Sequence, residues 1–367
     1  MLRQIRQHLS SSRPLERFLA LVVGFSVLYA LTAQRGVGWG DSAEFQSWVL
    51  DRSDWICGPH FSNAHPLYVA FCRLVASTPF QVTLVSSFFG ALSVGGFFLC
   101  TRCLGFSVIF GLSHMLWWNS CLAEVQTMNL AFTAFETLLL LKFLADGRWR
   151  WFAALVLLNG MHLEVHNFAL LAAPLYAAVF FSRARGWQLA LSVPLAALWG
   201  LGACGWLWAF ATRGAADVLV GDYGAKVVGF LPSNLVLTSF NFALAAMSFF
   251  APVAVAWWSR REGKMPADRA SGWVWALLAV NFLFFVRYFV PDQATFLLPT
   301  LFFACLLASR IELQPNRLAA LIALQVLLPL MAWQTLACLP MPDWKVRHEG
   351  RNDAAYFALP WKVGIAR

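Results

Sequence analysis

Asp41 and Glu44 lie three residues apart in Trp39-Gly-Asp-Ser-Ala-Glu-Phe45, and two histidines, His60 and His65, follow, the second inside Asn63-Ala-His-Pro-Leu-Tyr68. A positioned carboxylate can take the proton from an attacking hydroxyl, and a second one nearby can orient hydroxyl groups. The same spacing also suits a helix start. If Ser42–Leu50 is helical, Asp41 sits at the N-cap and Glu44 at the third position, the pattern of a capping box. Both readings stand on the sequence.

Other ionisable residues interrupt apolar runs where a charge is costly and marks a pathway or a site. Glu124 stands in Ala123-Glu-Val125 at the mouth between two such runs, with Asn129 shortly after it. Met161-His-Leu-Glu-Val-His-Asn167 puts His162 and His166 on one helical face and Glu164 on another side. The acid falls two residues after the first histidine, so the His-Glu-x-x-His metal pattern is absent. Arg287 breaks an apolar run just before Pro291-Asp292-Gln293; Arg73 and Lys226 complete the set. Arginine suits phosphate oxygens, although a side chain snorkelling to lipid headgroups explains Arg287 equally well. No Gly-rich nucleotide loop and no Gly-x-Ser-x-Gly elbow occurs. That argues against ATP and for a substrate that arrives already activated in the membrane.

The elements that must hold these groups are membrane helices. Of 367 residues, 60% are hydrophobic and 12% charged, too few polar groups to cover a soluble domain. The expected fold is all-α and polytopic. A basic cytoplasmic arm, residues 1–17, precedes a retained signal anchor near Phe18–Ala33. A single transmembrane domain, 18–337, then carries an exterior loop at about 34–79, in which Leu67–Ala76 is too short to cross and suits an interfacial helix. Further spans are expected near Phe80–Cys100, Leu104–Trp118, Thr127–Leu144, Trp151–Leu163, Phe168–Phe181, Leu189–Ala211, Leu235–Trp258, Trp273–Val290, Thr295–Ser309 and Leu318–Ala337, about eleven in all. Residues 338–367 form an exterior tail. Alternate loops support this order, because cations such as Arg148, Arg150, Arg260 and Arg261 fall on one side and Asp41, Glu44, Asp217 and Asp292 on the other. Topology therefore accounts for the formal charge of +9 without nucleic acid. Eight cysteines are scattered singly apart from Cys100 and Cys103, and no second pair completes a zinc site.

Asp41-Ser42-Ala43-Glu44, His65-Pro66-Leu67-Tyr68 and Ala123-Glu124-Val125-Gln126-Thr127-Met128-Asn129 resemble, in order, the motifs of the transmembrane protein O-mannosyltransferases and their uncharacterised bacterial relatives, within the GT-C glycosyltransferases. Tyr288–Pro299 resembles a late exterior motif of that family. Ala43 replaces the family's glycine, the His-Pro run is contracted, and no long soluble C-terminal domain follows.

The resemblance implies transfer of a sugar, mannose being one candidate, from a polyprenyl-phosphate donor to an acceptor hydroxyl of a protein Ser or Thr, a glycan or a lipid. It implies an active face outside a bacterial inner membrane, or in the lumen of an endoplasmic reticulum. Asp41 would be the general base, an effect worth roughly 100- to 10,000-fold. Glu44 and Glu124 would orient hydroxyls, and Arg287 would hold the leaving phosphate, with His65 as a second donor to it. Tyr68, Asn129 and Asp292 complete the implied binding set. A direct displacement would invert the anomeric carbon; a covalent intermediate on Glu44 is the rival. No metal or other cofactor is expected. The alternative function is a transporter or flippase for lipid-linked saccharides, which should place charge near mid-bilayer or show repeat symmetry.

Overall fold

The computed structural model describes residues 14–38, 40–51, 60–61, 64–221, 232–262, 269–288, 293–338 and 358–362. Asp292, Lys226, the first 13 residues and most of the expected exterior tail lie outside them.

Among the described residues the regular structure is helical. In chain order the helices are α1 (Pro14–Thr32), α2 (Asp41–Asp51), α3 (Pro66–Val75), α4 (Pro79–Thr101), α5 (Leu104–Gly111), α6 (His114–Ser120), α7 (Gln126–Asp146), α8 (Trp149–Leu163), α9 (Ala169–Arg183), α10 (Ser192–Gly202), α11 (Cys204–Arg213), α12 (Pro232–Arg261), α13 (Arg269–Arg287), α14 (Leu298–Ala308) and α15 (Pro315–Cys338). Local signals set many of the ends. Thr78 caps α4 by accepting the Gln81 N–H, and Pro79 follows at the first turn, where its missing N–H costs nothing. Gly147, at φ 70°, ends α7 in the left-handed conformation that glycine adopts without strain.

Five described helical segments are long and apolar enough to cross a bilayer: Pro14–Thr32, Pro79–Thr101, Gln126–Asp146, Ala270–Arg287 and Pro315–Thr335. A sixth is added if Gly186–Gly202 and Cys204–Arg213, bent by 80°, count as one broken span. Several other expected segments are shorter helices. Leu104–Trp118, read as one span, is two helices with a break at Leu112 and Ser113, where the Ser113 hydroxyl bonds the Phe110 carbonyl. The expected interfacial helix is α3, which buries Tyr68, Val69 and Cys72 and leaves Leu74 and Val75 exposed.

At the centre lies α4, packed against α1 and α7 and buried along most of its length. Lipid is as apolar as leucine, so helices in a membrane associate through close van der Waals packing and small residues rather than through exclusion of water. Accordingly α4 carries Ser86, Ser87, Gly90, Ala91, Gly95 and Gly96 on its buried surface. Phe97 and Phe110 stack at 4.8 Å, and Phe302 of α14 meets Phe97 edge-on at 5.5 Å.

A close backbone approach joins α8 and α10. A Cβ on Gly160 would strike the Trp199 carbonyl, and one on Gly202 would lie 2.5 Å from the Leu157 carbonyl. Backbone cannot yield as a side-chain tip can. Gly160→Ala should therefore destabilise by about 1–3 kcal/mol through overpacking, read as a lower Tm in detergent. Gly24→Ala, with open space around it, should leave Tm unchanged or slightly raised.

Candidate functional site

The segment before α2 is held down ahead of the helix. Gln46, buried in α2, accepts the Gly38 N–H at 2.6 Å and donates to the carbonyls of Gly36 and Pro79 at 3.3 and 3.1 Å. One amide thus ties the loop to both α2 and α4. Gly40 adopts φ 57°, and its carbonyl accepts the N–H groups of Ala43 and Glu44. The residue opening the helix is therefore Gly40. Asp41 is the first helical residue, which differs from the capping box expected of Asp41 and Glu44 because the left-handed turn falls one position earlier.

Asp41 and Glu44 are both exposed at the start of α2. The protein packed around them still withholds water: desolvation raises the pKa of each above its ordinary value, and the Asp41 charge raises Glu44 further. Ser42, between them and buried, donates to Glu124 Oε1 at 3.3 Å. Glu124 is fixed by its backbone. Its N–H donates to Ser86 Oγ, and Ser86 Oγ–H donates to its carbonyl, both at 2.9 Å. The Ser86 proton being committed, the Tyr68 hydroxyl is the donor in its 2.9 Å contact with Ser86. Three separate sequence motifs meet at this junction.

The start of α3 is held from another side. His65 takes φ 45°, its Nδ1–H donates to the Val165 carbonyl at 2.7 Å, and Leu67 N–H donates to the Glu164 carbonyl at 2.8 Å. Its ring stacks on His166 at 5.0 Å and meets Phe45 at 5.6 Å. Burial pulls the His65 pKa down to about 4 against the raising effect of the Val165 bond, so near neutral pH its Nε2 is an acceptor. His166 is likewise held well below its ordinary value, by burial first and then by neighbouring His65 and His162.

Other expected residues have different surroundings. Glu164 accepts the Trp206 N–H at 2.7 Å and so caps α11, a favourable place for a carboxylate, although burial raises its pKa. His60 Nδ1 lies 2.9 Å from Asp217, which also accepts the Phe61 N–H and lies 3.7 Å from Arg213. Arg73 donates to the Trp48 carbonyl, joining α3 to α2. Arg287 is the exposed last residue of α13. The next residue, Tyr288, packs on Phe296 at 4.9 Å, and Phe296 lies 6.1 Å from the His166 ring, so this helix end reaches the same cluster of rings.

Asn129, expected at the binding surface, is instead wholly buried. Its Oδ1 lies 2.6 Å from His162 Nε2, and His162 Nδ1 lies 2.8 Å from Glu136. Glu136 is not among the residues expected at the site. A lone carboxylate inside the apolar run Leu130–Phe143 was the available signal.

No protein-family model matches the chain, and no curated protein sequence does. A solved structure does: the crystal structure of ArnT from Cupriavidus metallidurans bound to undecaprenyl phosphate, with a TM-score of 0.65 at 13% sequence identity, covering 95% of this chain and 68% of that one. The chain shares the fold of that structure and is an integral membrane protein.

Raised folded-state pKa values have a stability consequence. The contribution of Asp41 and Glu44 is present below their unfolded pKa values and is lost as pH rises through the raised ones. Asp41→Asn, which mimics the protonated form, should therefore raise Tm at pH 7.5. The gain should vanish below the ordinary carboxylate value of 3.8; a lower Tm at pH 7.5 would refute the desolvated placement of Asp41.

Proposed function

We propose that the protein is a GT-C glycosyltransferase that moves a sugar from a polyprenyl-phosphate carrier to an acceptor hydroxyl on the exterior face of the membrane. The carrying observation is the junction at which Ser42, Tyr68, Ser86 and Glu124 join three motifs beside the exposed carboxylates Asp41 and Glu44. The GT-C-like fold shared with ArnT, which was crystallised with undecaprenyl phosphate, supports a lipid-phosphate donor.

In this reading Asp41 removes the acceptor proton as the hydroxyl attacks the anomeric carbon, and its raised pKa makes it a better base than an ordinary aspartate. Glu44 and Glu124 orient hydroxyls. Arg287 and Asp292 belong to the donor side, where a guanidinium stabilises charge as it grows on the leaving phosphate. Neutral His65, with Nδ1–H already given to Val165, offers Nε2 to a substrate hydroxyl rather than a proton to phosphate. Direct displacement inverts the anomeric centre. An eleven-span topology with 34–79 outside, mannose as the sugar, a protein Ser or Thr or else a glycan or lipid as acceptor, and a bacterial inner membrane or endoplasmic reticulum all fit this chemistry.

A second reading, a transporter or flippase of lipid-linked saccharides, gains support from Glu136. It is the eleventh residue of α7, which puts it roughly 15 Å along the helix axis and so near mid-bilayer.

Transfer from a panel of radiolabelled polyprenyl-phosphate sugars separates the two. Purified wild type should transfer from at least one donor, and folded Asp41→Asn should lose roughly 100- to 10,000-fold. Activity should persist in EDTA; loss in EDTA with recovery on adding manganese would overturn metal independence. Full activity in Asp41→Asn would remove it as the base, while no transfer by wild type from any donor would favour the transporter.

A further inference from the structure

A chain of polar side chains that the proposed reaction does not use runs from the middle of α7 to the exterior histidines. Its inner end is fixed by an obligate donor. Trp199 Nε1–H donates to Asn159 Oδ1 at 3.1 Å, which turns the Asn159 amide nitrogen toward the Ala169 carbonyl at 3.1 Å and Glu136 Oε1 at 3.3 Å. The Tyr176 hydroxyl donates to Glu136 Oε2 at 2.9 Å. With these donors aimed at it, the Glu136 carboxylate serves as an acceptor, so His162 Nδ1, 2.8 Å away, carries a proton.

The outer end is fixed as well. Phe168 N–H donates to His166 Nδ1 at 3.2 Å, which requires the proton of a neutral His166 to be on Nε2. Between the ends stand two amides. As they lie, His162 Nε2 faces Asn129 Oδ1 at 2.6 Å, Asn129 Nδ2 faces Gln126 Oε1 at 3.0 Å, and Gln126 Nε2 faces His166 Nε2 at 3.3 Å. That direction requires protons on both nitrogens of His162, an imidazolium, and it asks His166 Nε2 to accept, in conflict with the Phe168 N–H. Turning both amides exchanges their oxygen and nitrogen in place. Then His166 Nε2–H donates to Gln126, Gln126 to Asn129, Asn129 to His162 Nε2, and neutral His162 keeps its Nδ1–H on Glu136, with each contact a donor facing an acceptor.

We propose that Glu136 and His162 are positioning residues that set the tautomer of His166, and with it the ring stacked under His65 at the exterior site, through the reversible amides of Asn129 and Gln126. The two directions differ by one proton on His162. A neutral His162 pairs with Nε2–H on His166 and keeps the Phe168 N–H on Nδ1; an imidazolium pairs with Nδ1–H, and that order gives up the Phe168 bond. The titratable groups around the pair are Tyr176 on the carboxylate side and His166 and His65 toward the exterior. The small cavity beside it, closed by Thr133, Leu277, Asn281 and Phe303, adds no further charged group. This deepens the transferase reading and rests on it for the role of His65.

The test is solid-state NMR of 15N-histidine-labelled wild type in liposomes across pH, with rings assigned by His162→Asn and His166→Asn. Protonated and bare ring nitrogens resonate far apart, so each spectrum reports both rings at once. The expected pairing is neutral His162 with Nε2–H on His166 and imidazolium with Nδ1–H; the opposite pairing at any pH overturns the proposal. Glu136→Gln keeps an acceptor oxygen for His162 Nδ1–H, and it should hold His166 on Nε2–H throughout. In Asn129→Leu the His166 tautomer should no longer follow His162, and continued coupling there would overturn the chain. The pairing needs no turnover to be read, so a wild type without transfer activity would defeat the transferase reading alone.

Discussion

Polar groups between helices have no water to fall back on, and that constraint shapes this bundle. Ser86 shows how it is met: one hydroxyl binds both backbone groups of Glu124 and accepts a hydrogen bond from the Tyr68 hydroxyl, so α3, α4 and the turn before α7 share a single point. Because that point is satisfied, the Glu124 side chain is left to meet Ser42, and α2 is located relative to the membrane helices. The exposed carboxylates inherit their position from buried hydrogen bonds. An unmet donor or acceptor there would cost about 1–3 kcal/mol, more than the loop contacts could restore.

The same residue type does unlike work in this structure because its surroundings differ. Glu164 faces backbone N–H groups at a helix start, Glu136 faces His162, Asn159 and Tyr176, and Glu44 faces another carboxylate. Each environment selects a different use: a cap, a buried acceptor, and half of a repelling pair at the start of α2. His162 and His166, which share a helical face by spacing, are likewise divided. One bonds inward to Glu136 while the other is held by Gln126 and the Phe168 N–H.

Much of the architecture was legible in the sequence. Hydrophobic runs located α1, α4, α7 and α15, and the short apolar stretch after His65 became α3. The motifs around Asp41, His65 and Glu124 are distant in the chain yet adjacent in space. What escaped was whatever depends on three-dimensional partners. Gln46 carries no sequence signal, since its importance comes from the carbonyls of Gly36 and Pro79. Gly40 displaced Asp41 from the cap by a backbone choice that a dipeptide of glycine and aspartate leaves open. Helix periodicity is blind to Ser113, so one expected span became α5 and α6.

Charge at mid-bilayer is usually read as a path for ions or protons, and Glu136 meets that description. Its surroundings weigh the other way. A carried ion or proton must be taken up and released, which requires partners that let go in turn. Glu136 is bonded by His162, Asn159 and Tyr176 together, and Asn159 is itself held by Trp199 and the Ala169 carbonyl. Leaving a buried donor or acceptor without its partner costs about 1–3 kcal/mol, so breaking several contacts per cycle would be slow. Reversing two amides keeps the heavy atoms in place and leaves the groups bonded in the neutral-His162 direction. A network built this way holds the ring of His166 in a set order far more readily than it conducts.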